Sequence, residues 1–226
     1  MQDLIMAALS GNVARTDQLL SAGANVDYAD GNGWTALASA AGRGHVDVVR
    51  RLLRSGADPN LADVKGLTAL MRAAEGGHGA VADLLLAAKA SVEHCDNKGK
   101  TALMRAAENR RVEMVERLIK AGADPNHADK RGKTALMRAA LGGAGEIVDQ
   151  LLTSGADPNL VDANGWTALI CGTGEVKIVV RLIGAGASIE HAAKDGTTAI
   201  SRAKATGHGA AVGLLEAEVR QRASLG

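Results

Sequence analysis

A five-residue signature, Gly-x-Thr-Ala-(Leu/Ile), begins at Gly33, Gly66, Gly99, Gly132, Gly165 and Gly196, so successive copies lie 33, 33, 33, 33 and 31 residues apart. Periods of this length confine a chain to architectures that stack one small supersecondary unit on the next. A second marker, Gly-Ala-(Asp/Asn/Ser), recurs at Gly23, Gly56, Gly122, Gly155 and Gly186, with Lys89 standing at the glycine position of the third repeat. The two markers divide the chain into one domain of seven repeats: 1–29, 30–62, 63–95, 96–128, 129–161, 162–192 and 193–226.

Each repeat reads as two short helices and a turn. In the fourth, Thr101 is placed to cap a helix through Met104–Ala107, and a second apolar-periodic stretch runs from Val112 to Lys120. Gly122 follows where a helix commonly stops in a left-handed conformation, and the Asp-Pro-Asn and Asp-x-x-Gly segments beyond it supply turn chemistry. Helix pairs this short cannot cover their own apolar face, so neighbours must cover it. The chain has no Phe, one Tyr and two Trp, and a core of Ala, Leu, Val, Ile and Met suits thin layers better than a wide centre. The first repeat lacks the turn and reads as an N-terminal cap. The last continues into Gly213–Ser224, whose Glu216, Glu218, Arg220, Gln221 and Arg222 give a closing helix a wet face. The predicted fold class is an all-α solenoid of about seven helix-turn-helix units.

The pattern D-x-x-G-x-T-A-L-x-x-A-A, then G-H, then L-L-x-x-G-A-D-x-N, is similar to the ankyrin repeat and covers essentially the full chain. The resemblance implies a curved stack of helix pairs with β-hairpin-like fingers on one side. It also implies a concave face of fingers and first helices that binds protein partners and catalyses nothing. Two features depart from the family. Its common Thr-Pro-Leu-His is here Thr-Ala-Leu followed by Ala38, Met71, Met104, Met137, Ile170 or Ser201, so packing must replace the Thr–His hydrogen bonding. The sixth repeat is two residues short near Cys171–Gly174, and two residues rotate a helix by roughly 200°. Its first helix is expected to end early, with Gly172 and Gly174 lending backbone freedom to a remade loop. Such a loop is either a functional bend or a tolerated deletion.

Site chemistry is sparse. Gly-Lys-Thr at Gly99–Thr101 and Gly132–Thr134 lacks the earlier glycine of a phosphate loop, those positions being His94 and His127. His45, His78 and His208 share one slot in different repeats, too widely spaced for a common metal ion, and are expected to bond the local backbone. Cys95 and Cys171 suggest free thiols and no disulfide framework. Asp30, Asp63, Asp96, Asp129 and Asp162 recur at repeat boundaries, where turn hydrogen bonding explains them. No nucleophile–base–orienter set can be assembled, so no enzyme, no cofactor and no metal are expected.

Recognition should fall on exposed slots that vary between repeats. The slot between Gly and Thr holds Trp34, Leu67, Lys100, Lys133, Trp166 and Thr197. Trp34 and Trp166 are the apolar anchor candidates, either as binding hot spots or packed on an adjacent finger. Between them the fingers carry Lys65, Lys98, Lys100, Lys130, Arg131 and Lys133, and the first helices add Arg72, Arg105 and Arg138 at one shared slot, with Arg202 in the last repeat. Such a face is either a cationic groove for an acidic partner or an ordinary solvated surface, since Glu75 and Glu108 and the boundary aspartates could pair with these arginines. Net charge is +1, from 26 basic and 25 acidic residues, so any polarity comes from arrangement. The start MQDLIMAALSGN has no basic region ahead of an apolar stretch, and no run reaches membrane-span length. The sequence therefore predicts a cytoplasmic, monomeric scaffold or adaptor that binds a protein segment, acidic in part. An inhibitor of a partner enzyme or regulator is one alternative. Binding of nucleic acid or another polyanion through the basic fingers is another, disfavoured by the lack of interleaved aromatics.

Overall fold

Six threonines set the start of six helices in this computed structural model, which describes residues 2–224. Thr35, Thr68, Thr101, Thr134, Thr167 and Thr198 are extended, and each side-chain oxygen accepts from the amide three residues on. That bond satisfies an amide the helix itself leaves open and is worth about 1 kcal/mol. Fourteen helices result among the described residues, and no strand.

The chain divides into two compact bodies, Met1–Ala123 and Asp124–Gly226. The N-terminal body holds α1 (Gln2–Leu9), α2 (Val13–Ser21), α3 (Ala36–Arg43), α4 (Val46–Arg54), α5 (Ala69–Gly76), α6 (Gly79–Ala87), α7 (Ala102–Glu108) and α8 (Val112–Lys120). The C-terminal body holds α9 (Ala135–Leu141), α10 (Gly145–Thr153), α11 (Ala168–Cys171), α12 (Val176–Gly184), α13 (Ala199–Ala205) and α14 (Gly209–Ala223). Within the first body, α3 packs between α1 and α5, and α5 meets α7, while α2, α4, α6 and α8 form the second row. Within the second, α9, α11 and α13 are one row and α10, α12 and α14 the other. The fingers are hairpin-like without becoming sheets. Isolated antiparallel bridges join Ala29 to Thr35, Ala62 to Thr68 and Ala192 to Thr198.

Alanines make the close packing possible. Ala40, Ala41, Ala73, Ala74 and Ala106 are fully or almost fully buried on the first helices, against Leu37, Leu70 and Leu103, while Val49, Leu52, Val81 and Leu85 line the second. Adjacent fingers are tied by single backbone bonds: the Val64 amide to the Asn32 carbonyl (3.0 Å) and Asn97 to Lys65 (3.0 Å) in one body, Ala163 to Arg131 (2.8 Å) and Lys194 to Asn164 (3.0 Å) in the other. The Asp-Pro-Asn asparagines do more than turn the chain. Asn60 accepts from the Ser91 amide (2.7 Å), Asn126 from Asp157 (2.7 Å) and Asn159 from Ser188 (2.8 Å), each reaching the next repeat.

The histidines correct the sequence expectation of local bonding. His45 Nε2–H donates to the Leu9 carbonyl (3.1 Å) and His78 Nε2–H to Gly42 (3.2 Å), both in the preceding repeat, while His208 bonds the Thr206 hydroxyl (2.7 Å). The rings reach that far because they lie on glycines: a Cβ at Gly11 or Gly44 would come within 2.7 or 2.6 Å of the imidazole.

The shortened sixth repeat behaves as its length requires: α11 has 4 residues where α9 and α13 have 7. The expected reason for its glycines needs revision. Gly172 has φ −92°, and neither it nor Gly174 is left-handed, so backbone freedom is not what they provide. Space is the reason at Gly172, where a Cβ would meet Ile178 Cγ2 at 2.7 Å and Ala140 Cβ at 3.2 Å.

Candidate partner-binding surface

Each finger is organised by its boundary aspartate. Oδ1 of Asp63 accepts from the amides of Lys65 (2.8 Å) and Leu67 (2.9 Å), Asp96 from Lys98 (2.7 Å) and Lys100 (2.9 Å), Asp129 from Arg131 (2.8 Å) and Lys133 (2.9 Å). Asp30 and Asp162 hold the fingers of Trp34 and Trp166 in the same way. The Gly-Lys-Thr amides at Lys100 and Lys133 thus face a carboxylate, the opposite of a phosphate cradle.

The second carboxylate oxygen decides what the helix arginines can do. Arg72 pairs with Asp63 (2.5 Å), Arg105 with Asp96 and also with Glu75, and Arg138 with Asp129. Their side chains are only 17%, 12% and 9% exposed, and the three aspartates 3–4%. These pairs, nine residues apart in sequence, clamp each finger to the helix that follows it. Arg72, Arg105 and Arg138 are therefore not a reserve of positive charge awaiting a partner, and a face built around them is largely neutralised from within.

The finger cations differ. Lys100 pairs with Glu108 (2.7 Å). Among the described residues, no acid lies within ion-pair distance of Lys65, Lys98, Lys130, Arg131 or Lys133, and the first four are exposed. Leu67, expected in the binding set, is only 5% exposed; it has turned into the core, which withdraws it from the surface.

Both indoles pack against a guanidinium of the following repeat, Arg72 at 4.2 Å from the Trp34 ring and Arg202 at 4.3 Å from Trp166. Each ring is half-buried and packs on a helix arginine, not on the adjacent finger. Beside Trp34 lies a cleft of about 300 Å³, lined by Trp34, Ser39, Arg43, Arg72 and Glu75. A cleft of that size suits one large side chain of a partner.

Two further groups bear on chemistry. Burial pushes the Cys171 thiol up to about 11, beyond reach of ordinary nucleophilic activation. Among the described residues, no three His, Cys, Asp or Glu side chains are grouped to hold a metal ion. No described helix is long and apolar enough to cross a membrane. Sequence reading singled out His94 only for its place before the Gly-Lys-Thr segment. Its Nε2–H donates to the Gly66 carbonyl (3.1 Å), and His191 does the same to Gly165 (2.8 Å), bracing successive fingers. Their matching positions ahead of the signature were the available signal.

A family profile described as ankyrin repeats in three copies matches residues 4–94, 88–162 and 136–223. The crystal structure of the human ASB11 ankyrin repeat domain superposes with a TM-score of 0.81, at 25% sequence identity over 88% of this chain and 90% of that one. No curated protein matches the chain in sequence.

Proposed function

The chain belongs to the ankyrin repeat family, and on that premise we propose that it is a non-catalytic scaffold or adaptor that grips a partner protein through its finger tips and the Trp34 cleft. Ankyrin repeats are generally protein–protein interaction modules, and the fold is typically non-catalytic. The finer reading concerns which residues bind. The observation that carries it is the division of charge: helix arginines Arg72, Arg105 and Arg138 are spent on internal aspartates, while Lys65, Lys98, Lys130, Arg131 and Lys133 have no acid partner among the described residues. Unneutralised finger cations favour a partner segment bearing acids, and Trp34 supplies the apolar anchor such segments need for affinity. The proposal includes a cytoplasmic, monomeric protein whose seven repeats act as one domain with the boundaries given above.

Affinity capture with immobilised protein tests this. A variant carrying Trp34→Ala, Lys65→Gln and Lys98→Gln should lose the captured partner at least tenfold while keeping its helical circular dichroism. Retention of every partner by the folded variant would defeat the assignment. The free finger cations also suit a polyanion, so salt is the second arm. Binding that falls log-linearly with salt at a slope equal to several phosphates would assign the fingers to nucleic acid.

A further inference from the structure

Arg202 breaks the rule the other slot arginines obey. Arg72, Arg105 and Arg138 each pair with the aspartate nine residues before them, but nine residues before Arg202 stands Ala193. The backbone bonds of the turn persist, while the Thr197 amide, with no boundary aspartate to bond, donates to Asp195 Oδ1 (2.9 Å). The Ala193 amide donates to the Thr197 carbonyl (2.8 Å) and the Gly196 amide to Ala193 (2.9 Å), as Asp63 does to Leu67 (3.1 Å) and Gly66 to Asp63 (2.8 Å). The carboxylate that would face Arg202 is gone, and Asp195 forms no ion pair with that arginine. Arg202 keeps the stack on Trp166 and, among the described residues, has no acid partner.

The neighbouring finger lacks its counter-ion too. Lys100 is neutralised by Glu108 eight residues on, whereas eight residues after Lys133 comes Leu141, 58% exposed. Burial dominates the rise of the Cys171 thiol, and Lys133 and Arg202 each lower it a little without being in contact with each other in any hydrogen bond or ion pair. The acid acting on the same thiol is Asp162, whose Oδ1 is taken by the amides of Asn164 and Trp166 and which forms no ion pair among the described residues. Arg202 thus sets a positive charge beside the Trp166 indole that no described acid pairs with. A guanidinium held flat on an aromatic ring presents its N–H edge for two parallel bonds to a carboxylate.

We propose that Arg202, stacked on Trp166, is the receptor for an aspartate or glutamate side chain of the partner protein. The inference rests on the partner-binding reading and deepens it by naming the subsite and the group it takes.

The molecule contains its own control, because the Trp34–Arg72 stack has the same geometry with the anion already supplied by Asp63. The probe is acetyl-Ala-Glu-Ala-amide, followed through the two indole N–H resonances. Trp166 should titrate saturably with a Kd on the order of 1 mM, Trp34 should stay still, and the glutamine peptide should move neither. Arg202→Gln should weaken the response at least tenfold. Ala193→Asp, which returns the internal anion, should abolish it in a protein at least as stable as the parent. Equal shifts at both indoles, a Trp166 response that survives Ala193→Asp, or inorganic phosphate binding more tightly than the glutamate peptide would each overturn the proposal. Failure here with partner loss still caused by the finger variants would leave the broader reading intact. A titrating Trp166 in a protein whose finger variants keep every partner would remove the broader reading alone.

Discussion

Asp96, like Asp63 and Asp129, joins two finger amides to a helix arginine. Burial alone would push its carboxyl up, but the amides of Lys100 and Lys98 and the Arg105 guanidinium outweigh burial and hold it below its ordinary value of 3.8. A depressed carboxylate binds its proton less readily folded than unfolded. Its stabilisation is therefore complete above about pH 4 and is lost as pH falls through the folded value. Denaturant titrations from pH 7 downward should show Asp96→Asn less stable at neutral pH and converging with the parent in acid; a gap independent of pH would contradict the linkage. Arg105→Ala strips the counter-ion from two acids, one of them almost fully buried, and should cost about 3 kcal/mol of unfolding free energy. Lys89 is the opposite case. It sits at φ +64°, in the slot where the other repeats place glycine, a conformation costing an L-residue about 1 kcal/mol. Lys89→Gly should raise stability by roughly that amount, and a loss in the same denaturant assay would show that the side chain contributes something its geometry does not reveal.

At the scale of the helix, the sixth repeat is where sequence reading succeeded and failed within a few residues. The two-residue deficit foretold that α11 would stop early because a helix cannot absorb two residues and keep its apolar face inward. Why residue 172 must be glycine was hidden, since the constraint is the tertiary approach of Ile178 and Ala140, which no local pattern records. The same holds elsewhere. Threonine caps and the Gly122 turn were legible because they are local. The reach of His45, His78, Asn60 and Asn159 into neighbouring repeats was not, whereas pairing of the boundary aspartates with the helix arginines was foreseen as an alternative and proved to occupy Arg72, Arg105 and Arg138. Two outcomes follow for α11. Gly172→Ala should destabilise the protein by about 2 kcal/mol through overpacking, with thermal unfolding as the readout. Amides of residues 168–178 should exchange before those of α9, a single turn being a poor barrier to local opening; equal protection would contradict this.

For the chain as a whole, a net charge of +1 conceals two populations of cations. One is locked to internal acids and holds fingers to helices, and the other stands on the finger tips with no ion-pair partner among the described residues. Separating stability from recognition in this way is what a stack of near-identical repeats permits, because recurring positions carry the fold and varying ones carry the specificity. The most direct test compares two variants of the C-terminal body side by side, measuring melting temperature and partner affinity on the same preparations. Lys130→Gln, Arg131→Gln and Lys133→Gln together should leave melting unchanged and weaken partner binding at least tenfold, whereas Arg138→Gln should lower the melting temperature by several degrees and, at temperatures where it stays folded, bind as the parent does. A finger variant that melts early yet binds normally, or an Arg138→Gln protein that stays stable but loses its partner, would contradict the division of labour on which the account stands.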